Sequence, residues 1–403
     1  MIVLSGGDVV LPDRIIAGGS VVIDGSRIVA VEADHRGPSG GERVDVRGCY
    51  VVPGFIDVHV HGIGGYDTLD DGDVLMRIAA ALPRFGVTAF CPTTVACAPD
   101  ALRRVLTQVR TGRTAHVKGS ARVLPAHLES NFINPAFCGA QPVSCLRLPS
   151  GGHEGRDEGS FSGSDILDVM ASARAEVGIV TLAPELDGSV DLVRSLVSAG
   201  HRVSLGHSGA DFETAIAAID AGARHATHLF NRMSPLSHRA PGLVGAALSR
   251  REVAAELICD GVHVHDAVVR LAIAAKGVER MIAITDGTAG SGLPEGSTAR
   301  LGGRTIHVRD RAAYLDDGTL AGSTLTMDGA LRRLVSQAGC SLREAVMMCS
   351  TTPARELELR GFGTLSEGAF ADVVVLDREL RVQRTFIDGR EAFSAQPGAG
   401  QTQ

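Results

Sequence analysis

Short runs of apolar residues punctuate this chain, and several are separated by stretches in which apolar residues recur every three or four positions. The runs at 55–60, 88–93, 122–129, 179–183, 202–206, 225–228, 254–259 and 281–285 read as strands buried on both faces. Between several of them, DVLMRIAAALPRF (73–85), DALRRVLTQVR (100–110), DILDVMASARAE (165–176), FETAIAAIDAG (212–222) and DAVVRLAIAAKG (266–277) carry the i, i+3, i+4 spacing of amphipathic helices, with Pro83 disturbing the first. Eight strands with crossover helices predict an α/β fold, a (β/α)8 TIM barrel. A doubly wound sheet is the alternative.

Both ends of the chain break this rhythm. SVVIDGSRIVAVE (20–32) is two β-branched runs joined by Asp24-Gly25, a strong hairpin signal. The tail returns to that style in ADVVVLD (371–377) and RVQRTFIDGREAF (381–393). Two β-rich ends around an α/β middle predict a small β-sandwich domain built from 1–54 and 356–403, and a barrel over 55–355. The Gly-, Ser- and charge-rich segment 149–164 is expected to be a mobile surface loop, and no internal repeat is visible.

Composition narrows the function classes. The chain has 403 residues, 44% of them hydrophobic, enough for one large core and a smaller module. A net charge of −7, no basic run and no Trp argue against nucleic acid as a partner. The eight cysteines form no CxxC pair and several lie in apolar runs, which suits buried free thiols in a reducing compartment. The N-terminus lacks a basic n-region, and no apolar stretch is long enough to span a bilayer, so a soluble cytoplasmic protein with no membrane partner is expected.

The chemistry concentrates at the carboxyl ends of the predicted strands, where such barrels build their active sites. His59 and His61 end the first run; Glu129, His207, His228 and Asp286 end four others. His59 and His61 are two apart on a strand, so they share a face. A second HxH pair, His263 and His265, shows that the motif alone is weak. A carboxylate such as Glu129 at the end of an apolar strand is costly unless it is paired or bound to metal, with a salt bridge to Arg as the plainer reading. A lone His after a strand is often only hydrogen-bonded, and Asp286 could cap a following helix. Converging imidazoles and carboxylates suit zinc or a similar divalent ion. Arg239 and His263 are candidates for an anionic substrate group, against solvated loop positions.

The stretches PGFIDVHVHG (53–62), HLE (127–129), TLAPE (181–185), GHS (206–208), ATHLFN (226–231), DGVH (260–263), TDG (285–287) and GTLAGSTLTM (318–327) together resemble the N-acetylglucosamine-6-phosphate deacetylases of the amidohydrolase superfamily. The resemblance implies a metal-dependent barrel with a terminal β-sandwich, usually a homodimer. It places metal on Glu129, His207 and His228, and a second metal on His59 and His61, with Asp286 as the catalytic Asp and sixth candidate ligand. One or two divalent ions per chain are implied, zinc first, with Fe, Mn or Co as alternatives. It carries substrate contacts over to Ala140, Gln141, Asn231, Arg239, Asp260, His263, Leu320, Ala321 and Gly322.

The departures fall near the expected substrate. HLEGPF reads HLESNF here, with Ser130 and Asn131. Gln141 replaces the usual His of a GAH motif, Arg232 replaces the Ala after the FN pair, and Ala240 turns REPG into RAPG. The expected reaction is removal of the N-acetyl group from an amino-sugar 6-phosphate, giving acetate and the free amine. The alternatives are another N-acyl amino sugar or N-acyl amine, and a catalytically inactive barrel serving as a scaffold.

Overall fold

The computed structural model describes residues 1–33, 41–115, 117–150 and 161–395. Most of the segment expected to be a mobile loop, 151–160, lies outside the described residues. Eight parallel strands form the central barrel: β1 (Phe55–Val60), β2 (Val87–Thr94), β3 (Ala126–Glu129), β4 (Val177–Leu182), β5 (Arg202–Leu205), β6 (His225–Ala226), β7 (Ala254–Ile258) and β8 (Met281–Ile284). Each pairs with the next in sequence, and a parallel bridge from Val60 to Gly287 closes the ring. The predicted 122–129 strand is two pieces, Arg122–Val123 and Ala126–Glu129, separated at Leu124 and Pro125.

Helices α1 (Val74–Ala81), α2 (Pro99–Thr114), α3 (Gly163–Ser172), α4 (Ser189–Ser198), α5 (Phe212–Asp220), α6 (Gly242–Ser249), α7 (Asp266–Lys276) and α8 (Met327–Ser336) follow the strands in turn. The first ends earlier than its periodicity suggests: Pro83, with no N–H to donate, turns residues Leu82–Phe85 into a short 3-10 segment. Strands alternate between the two sides of the wall. On β7, Ala255 and Leu257 join the large core under the helices, while Ala254 and Ile258 join the barrel interior.

Strands from both chain ends make one sheet, in which Tyr50–Pro53 pairs antiparallel with Val373–Leu376 and Ile2–Val10 pairs with Ile15–Asp24. Leu4, Val21, Ile28, Val373 and Phe386 form the core of this small β-sandwich. Its other face shares Val52, Val374 and Leu376 with the barrel's outer core. Between β8 and α8 lies a four-stranded sheet (Thr298–Leu301, Arg304–Arg309, Ala312–Tyr314, Leu320–Ser323) that the sequence reading did not anticipate. Its last strand pairs Ser323 with Gly287, which brings Leu320, Ala321 and Gly322 over the barrel mouth.

Candidate metal centre

Glu129 is the last residue of β3, and His61 follows β1 directly. His207, His228 and Asp286 each stand two residues beyond the ends of β5, β6 and β8. All three have left-handed backbone, with φ of 48°, 28° and 48°, uncommon for residues other than glycine and concentrated at functional sites. The turn after each strand swings the side chain across the barrel mouth instead of onward along the strand. Hydrogen bonds from Asp286 N to His59 O (2.9 Å) and from His61 N to Gly287 O (2.7 Å) lock β1 against the β8 turn. Glycine is required at 62, where a Cβ would meet the Tyr66 carbonyl oxygen at 2.1 Å.

The six side chains form two candidate ligand sets. In the first, Glu129 Oε1 lies 2.7 Å from His207 Nε2 and 2.8 Å from His228 Nε2. In the second, Asp286 Oδ1 lies 3.3 Å from both His59 Nε2 and His61 Nε2. Glu129 touches both sets, since its Oε2 is 3.5 Å from His61 Nε2. Each set offers three atoms within 4.8 Å of one another, all buried. The donor chemistry fits a cation. His207 Nδ1 donates to the Phe137 carbonyl at 2.8 Å and His59 Nδ1 to Glu256 at 2.9 Å, which leaves the Nε2 of each ring facing inward toward the carboxylates. The Nε2 atoms of His207 and His228 stand 3.1 Å apart with a carboxylate oxygen against both, an arrangement that a divalent ion satisfies.

Charge agrees with this. Burial alone would raise the Glu129 carboxyl, yet His207 and His228 hold it well below the ordinary range. Burial likewise opposes ionisation of Asp286, and His59 and His61 overcome it. Asp286 is therefore a carboxylate at neutral pH. No helix begins there, since the chain runs through turns to the strand at Thr298, and the capping role is removed.

The cavity above these residues is lined by Ala140, Gln141, Asn231, Arg232, His263, Leu320, Ala321 and Gly322, beside the ligands themselves. Asp260 does not line it. Its carboxylate accepts from His263 Nδ1 at 2.6 Å, orienting that ring toward the cavity. Arg239 does not line it either: it sits in the exposed stretch 235–240, on the same loop as Arg232. His265, from the second HxH pair, caps α7 by accepting from Ala267 N. Ser130 and Asn131 do not line the cavity. The Ser130 hydroxyl bonds to the Thr181 carbonyl, and Asn131 Nδ2 bonds to the carbonyls of Cys97 and Cys145. Of the departures from the family pattern, only Gln141 and Arg232 enter the cavity.

A much larger cavity, about 720 Å³ against about 70 Å³ here, opens at the opposite end of the barrel around Pro125, Val177, Arg202 and Arg224. It carries none of the six ligands, so the donor set and not volume locates the chemistry. The sequence reading missed the polar interior below the centre: Glu256, His127 and His225 are all buried there, on β7, β3 and β6. The signal was present, since Glu256 interrupts an otherwise apolar strand, but only strand ends were weighed.

Residues 50–392 match the amidohydrolase family. The chain is 36% identical over 368 residues to the N-acetylglucosamine-6-phosphate deacetylase of Lysinibacillus sphaericus, covering 90% of each chain. It is also 36% identical over 342 residues to the N-acetylgalactosamine-6-phosphate deacetylase of Escherichia coli O157:H7, covering 84% of this chain and 87% of that one. Its fold matches a mutant N-acetyl-D-glucosamine-6-phosphate deacetylase from Mycobacterium smegmatis, solved with N-acetyl-D-glucosamine-6-phosphate, at a TM-score of 0.87 and 32% identity, covering 98% and 99% of the two chains. With these candidate ligands at the barrel mouth, the chain belongs to the N-acetylglucosamine-6-phosphate deacetylase branch of the amidohydrolase family.

Proposed function

We infer that this protein hydrolyses the N-acetyl group of an amino-sugar 6-phosphate, N-acetylglucosamine-6-phosphate first, releasing acetate and the amino-sugar phosphate. The observation that carries the reading is the pair of ligand sets joined at Glu129, with Asp286 facing them across the barrel mouth. A divalent ion held by Glu129, His207 and His228, and a second by His59, His61 and Asp286, would polarise the amide carbonyl and make water acidic enough to attack at neutral pH. Asp286, ionised and buried, can take the proton from the attacking water and deliver it to the departing nitrogen, which is too basic to leave as an anion. Asn231, Arg232 and the Asp260-oriented His263 line the wall suited to the phosphate. The loop strand Leu320–Gly322 and Ala140 shape the rest of the sugar pocket.

Zinc as the metal and a cytoplasmic homodimer belong to the same proposal. Eight free cysteines, five of them buried, support a reducing compartment. No helix among the described residues is long and apolar enough to cross a membrane. The division into a terminal β-domain (1–54 with 356–403) and a catalytic barrel (55–355) completes the reading.

A second reading keeps the chemistry and changes the substrate to another N-acyl amino sugar or N-acyl amine. Gln141 and Arg232 in the cavity favour it. An inactive scaffold finds no support, since all six ligands are kept. A panel of N-acetylglucosamine, N-acetylgalactosamine and their 6-phosphates, assayed for acetate release by metal-loaded protein, decides between the first two. Preference for the 6-phosphates supports the first, and equal turnover of phosphorylated and neutral sugars overturns it.

A further inference from the structure

We propose that Glu256 is a positioning residue that holds the two ligand sets of the metal centre in register. The proposal rests on the metal-centre reading above and adds to it a residue beneath the site. Glu256 sits mid-strand on β7, fully buried inside the barrel, and does not line the substrate cavity. A carboxylate at such a place is costly unless its oxygens are well used.

One oxygen reaches both sets. Glu256 Oε2 accepts from His59 Nδ1 at 2.9 Å and from the backbone N–H of His228 at 3.2 Å. His59 belongs to the set with His61 and Asp286; His228 belongs to the set with Glu129 and His207. The first contact selects the His59 tautomer whose Nε2 is bare and fixes the plane of the ring. The second pins the backbone of His228 where φ is 28°, a conformation that L-residues rarely adopt without support. The other oxygen, Oε1, lies 3.1 Å from His225 Nε2 and 3.6 Å from His127 Nδ1. His127 is itself braced, with Nδ1 against the Val58 carbonyl (3.0 Å) and Nε2 against the Thr181 hydroxyl (2.8 Å). Thr181, Thr227 and Ser204 continue the chain of hydroxyls across the barrel interior at 2.7 and 2.6 Å. Glu256 thus holds residues of both sets through Oε2, while Oε1 faces His225 and His127 below without a hydrogen-bond donor among the described residues.

The test separates metal positioning from simple structural support. Metal-free wild type, Glu256→Gln and Glu256→Leu are titrated with Zn²⁺ against a competing chelator, and the stability of each metal-free form is measured by denaturant unfolding. Wild type is expected to take one to two ions. The leucine variant is expected to lose roughly 10–100-fold in affinity for at least one of them, as changes to outer-shell partners of ligating histidines do. Its metal-free stability should fall below wild type, because removing one partner leaves the N–H groups of His59 and His228 buried and unpaired, so affinity is compared on the folded protein alone. The glutamine variant, whose amide oxygen can accept from both N–H groups, should recover most of the affinity. Wild-type affinity for every bound ion in the leucine variant overturns the proposal. So does a loss of metal that merely tracks a loss of folded protein and is not rescued by glutamine. If the leucine variant does not fold, Glu256→Asp, which withdraws the carboxylate by one methylene, takes its place in the same comparison. Failure of wild type to bind any ion overturns instead the metal-centre reading itself.

Discussion

Gln141 donates through Nε2 to Glu129 Oε2, the oxygen of that carboxylate that faces His61. The direction of the amide is settled by its other end, where Oε1 accepts from Ala96 N at 2.7 Å. Glu129 is therefore anchored at one oxygen while the other faces His207 and His228. Gln141→Leu is expected to free the carboxylate and to lower metal affinity by about 10–100-fold. Gln141→Glu should do worse, because it sets a second carboxylate against the first. Metal titration of both variants checks the order, and unchanged affinity in the leucine variant contradicts it.

Asp286→Asn keeps the side-chain shape and removes the base. The kcat is expected to fall by about 10²–10⁴. The same change removes a ligand from the set with His59 and His61, while Glu129, His207 and His228 keep theirs. Single-turnover rate and metal content measured together distinguish the two effects. A variant with wild-type kcat would remove Asp286 from proton transfer.

Among the described residues Arg232 is the arginine that lines the cavity, and its stem lies on Gly139, where a Cβ would come within 2.5 Å of the Arg232 Nε. A charge-assisted hydrogen bond to phosphate contributes about 1.5–3 kcal/mol, so Arg232→Ala should raise KM for the 6-phosphate roughly tenfold or more. The neutral sugar should be little affected. Equal effects on both sugars would assign Arg232 to loop structure instead. Arg239→Ala, measured in parallel, reports whether the exposed arginine on the same loop contributes to phosphate recognition.

His127 supplies a pH signature. Burial drives its imidazole down from 6.5 to about 3. The unfolded chain thus takes up a proton between those values that the native chain does not. Stability from this residue is fully present above about pH 6.5 and is lost as pH falls toward 3. Asp57, pushed up to about 7 by burial, acts in the opposite sense between 3.8 and 7, because there the native state holds the extra proton. The informative quantity is therefore the difference between wild type and His127→Gln. Over pH 3–6.5 the slope of unfolding free energy in metal-free protein should be shallower in the variant by about one proton. Parallel slopes would show that His127 titrates normally.

Much of this was legible in the sequence because a barrel strand buried on both faces is a bare apolar run, and a ligand at its end is a conspicuous polar stop. His59, His61, Glu129, His207, His228 and Asp286 are brought together as those positions imply. Elements whose pattern is weaker were not legible. Helix α6 (GLVGAALS) is apolar nearly all round and carries no helical stripe, and the four-stranded sheet after β8 is made of short, half-exposed strands. Glu256 is visible as a polar interruption of an apolar strand, but its role is not. Its importance depends on which residues from other strands stand above it, and that depends on strand register, which one strand's sequence does not contain.

The central claim is metal-dependent deacetylation, and acetate release from N-acetylglucosamine-6-phosphate by chelator-stripped protein tests it most directly, with bound metal quantified in the same sample. Activity should vanish with the metal and return as one to two equivalents of divalent ion per chain are restored, since none of the eight cysteines belongs to the ligand sets that could otherwise retain it. Full deacetylase activity in protein shown to be metal-free would contradict the account.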